Sequence, residues 1–137
     1  LNDNMALYVA AEIARLMTSR RIHVKGAKVL VLGLTFKENC PDIRNSKVVD
    51  VVRELEKFGA QVDVHDPWVD SREAKHEYGI KPVKAPKARS YDAVVLAASH
   101  QQFKDLGAAA VRRFGRKNAV VYDIKYLFKA DQVDGRL

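Results

Sequence analysis

Residues 29–58 decide the fold of this chain, and they read VLVLGLTFKENCPDIRNSKVVDVVRELEKF. They begin with an unbroken apolar run, which is typical of a strand buried on both faces of a parallel sheet. Residues 47–58, at the other end, repeat apolar side chains at helical spacing. A long polar loop, residues 33–46, lies between them. The stretch therefore predicts a strand, a loop and a helix, the arrangement in which α/β sheets hold ligands.

The same alternation continues along the chain. Apolar or alternating segments predict strands at 28–32, 61–65, 92–98 and 119–123, with a small strand at 80–83. Helical patterns occur at 3–22, 70–78 and 103–114, in addition to 47–58, which Ser46 is placed to cap. Strands that alternate with helices predict a doubly wound, mainly parallel α/β sheet of the Rossmann-like type.

Length and composition limit the class of protein. A chain of 137 residues, 47% of them hydrophobic, is long enough for one core and has no run of about 18 apolar residues that could span a membrane. Its single cysteine, Cys40, excludes an internal disulfide and fits a reducing, cytoplasmic compartment. The net charge of +7 suits nucleic acid or small anions, but the cations are spread along the chain, which argues against nucleic acid.

The start of the chain suggests a piece of a longer protein. Residue 1 is Leu rather than Met, and the first helical pattern has no upstream context. We expect residues 1–24 to be the C-terminal part of a long linking helix and residues 25–137 to form one domain.

The polar loop carries the first candidate ligands, Lys37 and Arg44, with the ring of Phe36 beside the lysine. Two cations and a flat ring suit an anionic ligand with a flat face, such as a nucleotide. Both cations could instead be solvated surface residues, and Phe36 could pack in the core. The helix N-terminus that follows favours anions, and Glu38 and Asp42 are close enough to hold the cations in place.

Lys125 follows the strand predicted at 119–123. Because the carboxyl ends of parallel strands share one rim of the sheet, Lys125 could face the same crevice as Lys37. It could equally be an ordinary exposed lysine, and spacing alone does not decide between the two.

The sequence gives less support to a complete dinucleotide site, a nucleophilic cysteine or a metal site. A dinucleotide fingerprint needs three glycines, but only Gly33 is present, so Asp66 at the end of the second strand is better read as a turn residue than as a ribose ligand. Cys40 has no histidine at local spacing that could activate it as a nucleophile. One cysteine and four scattered histidines make no metal-ligand pattern, and we predict no metal site.

Several short motifs agree with one known family. They are NDNM at 2–5, GLTFK at 33–37, DIRNS at 42–46, GAQV at 59–62, HDP at 65–67, YDA at 91–93, DIK at 123–125 and DGRL at 134–137. Together they resemble the C-terminal, UDP-binding domain of the UDP-glucose/GDP-mannose dehydrogenase family. The resemblance extends most to the bacterial branch that oxidises UDP-N-acetylhexosamines for surface polysaccharide biosynthesis.

The resemblance implies a domain of an NAD-dependent UDP-sugar 6-dehydrogenase, which oxidises the sugar C6 alcohol to a uronic acid. In that family an N-terminal domain binds NAD and supplies the catalytic cysteine. Neither the glycine-rich loop nor that cysteine motif occurs here, and Cys40 does not match it. The resemblance therefore implies no catalytic residue in this chain and no activity for the chain alone.

Site residues follow from the same resemblance. Phe36 and Lys37 would contact the UDP-sugar, and Arg44 would reach the NAD bound by the missing N-terminal domain. Lys125 falls where many members carry an arginine that contacts substrate. The helix at 3–22 would help to build a homodimer of the full-length enzyme, with neither nucleic acid nor membrane as a partner. The alternative is a free-standing nucleotide- or nucleic-acid-binding module.

Overall fold

The computed structural model describes residues 3–35 and 37–137. Along the chain they form α1 (Asp3–Ser19), β1 (Lys28–Leu32), α2 (Val48–Lys57), β2 (Gln61–His65), α3 (Ser71–Tyr78), β3 (Tyr91–Leu96), α4 (Gln101–Leu106), α5 (Ala108–Arg112), β4 (Gly115–Asp123), a 3₁₀ turn (Ala130–Gln132) and β5 (Gly135–Arg136). The strands make one parallel sheet in the order β2-β1-β3-β4-β5.

Two hydrophobic cores cover the two faces of this sheet. Side chains alternate along β1, so Val29 and Val31 face a core that includes residues of α1 and α2. Leu30 and Leu32 face the opposite core, which includes Phe103 of α4. Because both faces are covered by helices, the strands read as continuous apolar runs. The predicted doubly wound α/β class is confirmed.

The helix α1 packs on the domain that follows it. Val9, Ile13 and Met17 are fully buried in the first core. Just beyond the helix, Arg20 donates hydrogen bonds to the carbonyl of Ala119 at 2.7 Å and to Asp134 at 2.7 Å. The apolar face of α1 is therefore used within this chain. The assignment of residues 1–24 to a linking helix of a longer protein stays a prediction.

Two local predictions are wrong. Ser46 does not cap α2, because the helix begins at Val48 with Lys47 at the N-cap position. The buried Ser46 hydroxyl donates to the carbonyl of Leu34 at 2.6 Å, which ties the loop back on itself. Residues 80–83 form no strand, although the Val83 N–H donates to the carbonyl of Val64 at 2.8 Å. Pro82 has no N–H to extend that pairing.

Other boundaries shift for identifiable reasons. The helix predicted at 103–114 is two helices, because Gly107 adopts a φ of +83° between α4 and α5. The last long strand, β4, begins at Gly115 rather than at residue 119.

The short strand β5 was not predicted from the sequence. Gly135 is required there, since a Cβ would lie 2.8 Å from the ring of Tyr122, its pairing partner on β4. Within the described ranges, no helix has the length and apolar content to cross a bilayer.

Candidate functional site

A cleft opens at the rim of the sheet where β1, β3 and β4 end. Its volume is about 450 Å³, and it is lined by Thr35, Lys37, Glu38, Ala98, Ser99 and Lys125. Each of the three strands contributes the residues that follow its carboxyl end. The structure thus brings Lys37 and Lys125, which are 88 positions apart in sequence, onto one cleft.

The cleft carries two cations and one anion. Lys37 and Lys125 are exposed, and the Glu38 carboxylate accepts a hydrogen bond from the Ser99 hydroxyl at 2.6 Å. This hydrogen bond, helped by the charge of Lys104, lowers the pKa of Glu38 below its usual value. An ionised Glu38 in the same cleft as Lys37 and Lys125 can accept a ligand hydroxyl while the lysines donate to a phosphate.

Asp66 belongs to the framework beneath this cleft. Its buried carboxylate accepts the N–H groups of Leu34 at 2.7 Å and Thr35 at 3.2 Å, and that of Trp68 at 2.9 Å. Burial on its own raises the pKa of Asp66, but hydrogen bonds from His100 and these backbone groups outweigh it and lower the pKa. The carboxylate is fully engaged, which agrees with the turn role expected from sequence rather than with ribose binding.

Arg44 lines a different cleft. That cleft has a volume of about 530 Å³ and is lined by Arg44, Asn45, Ser46, Lys47, Val49, Asp50, Glu77 and Tyr78. The Nε and Nη2 of Arg44 each donate to Asp42 at 3.0 Å, and this pairing lowers the pKa of Asp42 to about 2. Asp42 therefore holds Arg44, as expected from sequence. Arg44 thus lines a different cleft from the one that Lys37 lines.

Three sequence predictions remain, which concern Phe36, Cys40 and the absence of a metal site. Phe36 lies outside the described residues. Cys40 is a half-buried free thiol, and no hydrogen bond among the described residues involves it. Within the same residues, His, Cys, Asp and Glu side chains form no group of three or more that could hold a metal ion.

Sequence reasoning missed two residues of this region, Ser99 and His100. Ser99 lines the cleft and binds Glu38, and His100 is buried directly beneath the loop that carries Lys37. A signal was available, because both follow the apolar run of β3 as the first polar residues after it. The rule that carboxyl ends of parallel strands meet at one rim would have included them.

A doubly wound parallel sheet with a basic cleft at its carboxyl rim defines the Rossmann-like, nucleotide-binding class of domain. Comparison with known protein families identifies which family of nucleotide-binding domains this chain belongs to. The family model for the UDP-glucose/GDP-mannose dehydrogenase family, UDP binding domain, matches residues 30–130. The chain therefore belongs to this family, and the family predicted from sequence is confirmed.

Individual relatives agree with the family match. The chain is 54% identical over 137 residues to the UDP-N-acetyl-D-glucosamine 6-dehydrogenase of Pseudomonas aeruginosa, and 51% identical over the same length to that of Salmonella typhi. All of this chain is covered in both comparisons, but it spans only 32% of each relative.

A solved structure supports the fold alone. The UDP-D-ManNAc dehydrogenase of Pyrococcus horikoshii superposes with a TM-score of 0.76 at 22% identity, covering 94% of this chain and 29% of that one.

Proposed function

We propose that this chain is the nucleotide-sugar-binding domain of an NAD-dependent UDP-sugar 6-dehydrogenase. The full enzyme would oxidise the C6 alcohol of a UDP-N-acetylhexosamine to a uronic acid for surface polysaccharide biosynthesis. The observation that carries the proposal is the cleft shared by Lys37 and Lys125 at the rim of a domain of this family. The names of the two bacterial relatives support the choice of sugar class.

The chemistry of the cleft suits a diphosphate that bears a sugar. Lys37 and Lys125 can each donate a charge-assisted hydrogen bond to a phosphate oxygen. Lys125 does so as a point charge, without the fork of the arginine that the resemblance implies at this place. Glu38 offers an acceptor for a sugar or ribose hydroxyl. Phe36 is proposed to pack beside the base or the sugar.

The residues of this chain do not fit a self-contained NAD site. Gly33 is followed by Leu34 and Thr35, both buried, where a pyrophosphate would need bare backbone. NAD would therefore be bound mainly by a domain outside this chain. Arg44 is proposed to contact it from its own cleft, since the pair with Asp42 uses Nε and Nη2 and leaves Nη1 to meet a phosphate.

Turnover would need the parts that this chain lacks. A hydride acceptor and a nucleophile have to lie against the sugar at the same time, and that proximity accounts for much of the rate of such reactions. We infer that the chain alone binds nucleotide without catalysing oxidation. In the full enzyme α1 would contribute to a homodimer.

Calorimetric titration of the chain with UDP tests the proposal. Loss of one charge-assisted hydrogen bond costs about 1.5–3 kcal/mol, so Lys37→Ala and Lys125→Ala should each weaken Kd about tenfold or more. Lys84→Ala is the matched control, because Lys84 is exposed and lies outside the cleft. The role of the two lysines is refuted if their variants bind UDP as the control does.

The net charge of +7 keeps nucleic-acid binding as a second candidate. A titration with single-stranded and duplex oligonucleotides at rising salt separates the two functions. Many phosphate contacts give a steep loss of affinity with salt. Tight, steeply salt-dependent binding of oligonucleotides, together with no binding of UDP, would favour the second candidate.

A further inference from the structure

A buried acid–imidazole pair lies under the loop that carries Lys37. Asp66 follows β2, and His100 lies just before α4. The side chains of both are entirely inaccessible to solvent, and the Asp66 Oδ2 is 2.9 Å from the His100 Nε2. Such a pair is costly to bury unless its hydrogen bonds are satisfied. Its contacts therefore indicate what it stabilises.

These contacts define where the proton of His100 lies. The Asn39 N–H donates to the Nδ1 of His100 at 2.9 Å, so Nδ1 carries no proton. The Nε2 is within 2.9 Å of Asp66 and 3.1 Å of the Thr35 hydroxyl. That hydroxyl donates its own proton to the carbonyl of Lys37 at 2.8 Å, so it accepts from the ring. His100 is thus a neutral ring with Nε2–H as donor and Nδ1 as acceptor.

The pair fixes the loop on both sides of Lys37. Asp66 accepts the N–H groups of Leu34 and Thr35 before the lysine. His100 accepts the N–H of Asn39 after it, and the Asn39 side-chain oxygen accepts the N–H of Gln101 at 2.8 Å. The backbone around Lys37 is therefore anchored to the segments that follow β2 and β3, the two strands on either side of β1, while the lysine side chain remains exposed at the cleft.

The ring of His100 is itself held in place. Phe103 packs at 5.4 Å between ring centroids and Trp68 at 6.4 Å, and both rings are tilted relative to the imidazole. A flip of the imidazole about its Cβ–Cγ bond would put carbon atoms where Nδ1 and Nε2 now lie, so Asn39 would lose its acceptor and Asp66 would lose its hydrogen bond from the ring.

We propose that His100 is a positioning residue for nucleotide binding. Its bare Nδ1 accepts the N–H of Asn39 and thereby sets the loop that presents Lys37 to the cleft, while its Nε2–H orients the ring toward Asp66 and Thr35. This inference rests on the proposed function, because it assigns His100 a role at the UDP site. A purely structural histidine would need only to fill its volume, whereas a positioning residue needs an acceptor at the Nδ1 place.

Two conservative variants separate these roles. In His100→Asn the side-chain oxygen falls near the place of Nδ1 and keeps an acceptor for Asn39. In His100→Gln the amide reaches the place of Nε2 and keeps the donor to Asp66, but the acceptor for Asn39 is lost. Titration with UDP should show His100→Asn within about threefold of the parent chain and His100→Gln about tenfold weaker. Equal affinity of the two variants overturns the proposal.

Two further measurements keep the test decisive. The nitrogen-15 NMR spectrum of the unaltered chain should show a bare Nδ1 and a protonated Nε2 for His100, and the reverse tautomer overturns the proposal even if neither variant folds.

Amide hydrogen exchange at Asn39 should be faster in His100→Gln than in His100→Asn. If that holds while the unaltered chain fails to bind UDP, the proposed function is refuted but the anchoring of the loop by His100 is upheld. If the unaltered chain binds UDP and His100→Gln binds it equally well, the inference alone is refuted.

Discussion

Replacing Gly33 by alanine should lower the free energy of unfolding more than the same change at Gly26, Gly79 or Gly107, where an added Cβ would meet nothing within 4 Å. Gly33 follows β1 with a φ of +107°, and a Cβ there would lie 2.4 Å from the Cβ and 2.7 Å from the backbone N of Ala98. Residues that carry a side chain rarely adopt such a φ, and forcing alanine into this backbone conformation costs about 1–3 kcal/mol. The close approach to backbone adds about 1–3 kcal/mol of overpacking. The two causes together predict a loss of about 2–6 kcal/mol.

Urea unfolding of Gly33→Ala and Gly79→Ala measures the two causes separately. Gly79 ends α3 with a φ of +68°, but a Cβ there would meet nothing within 4 Å, so only the backbone cost of about 1–2 kcal/mol applies. Because Ala98 also lines the cleft, Gly33→Ala should weaken UDP binding as well, and Gly79→Ala should not. Equal losses of unfolding free energy in the two variants would refute the reasoning that the strand ends meet this closely.

Three more predictions concern charged groups. Asp134→Asn should lower the free energy of unfolding by about 2 kcal/mol or more, measured in urea, since the carboxylate accepts from Arg20 and from the Val121 N–H. The lowered pKa of Asp66 means that its stabilising contribution is present above the ordinary value of 3.8 and lost as pH falls through the folded value. Unfolding curves from pH 7 downward should show that loss, and it should be smaller in Asp66→Asn. In the full-length enzyme Arg44→Ala should raise the KM for NAD more than the KM for the sugar nucleotide. A change confined to the sugar would contradict the cofactor assignment.

The sheet could be predicted because its first four strands contain apolar runs or, in β2, an alternating segment. Residues 28–32 and 61–65 were predicted with the bounds that β1 and β2 have, since both are regular and bounded by glycine or proline. The parts that failed depend on single local contacts. Ser46 caps no helix because α2 begins at Val48 with Lys47 at the N-cap position. The strand β5 can pair beside β4 because Gly135 places no Cβ against the ring of Tyr122.

The part of the candidate site that could be predicted is the part that lies at the carboxyl ends of the parallel strands. The shared rim of parallel strands places Lys37 and Lys125 together, and the structure has them on one cleft. The role of His100 depends on contacts with residues 34 and 61 positions away along the chain, and no local pattern encodes them. The separation of Arg44 from Lys37 also depends on how the loop folds, which spacing does not determine.

A UDP titration of the nitrogen-15-labelled chain, followed residue by residue in its amide spectrum, tests the central claim most directly. We predict saturable shift changes at Thr35, Lys37, Ser99 and Lys125, the residues around the carboxyl rim. Absence of saturable change, or change confined to the opposite, amino-terminal rim of the sheet around Lys28, would contradict the assignment of the nucleotide to this cleft.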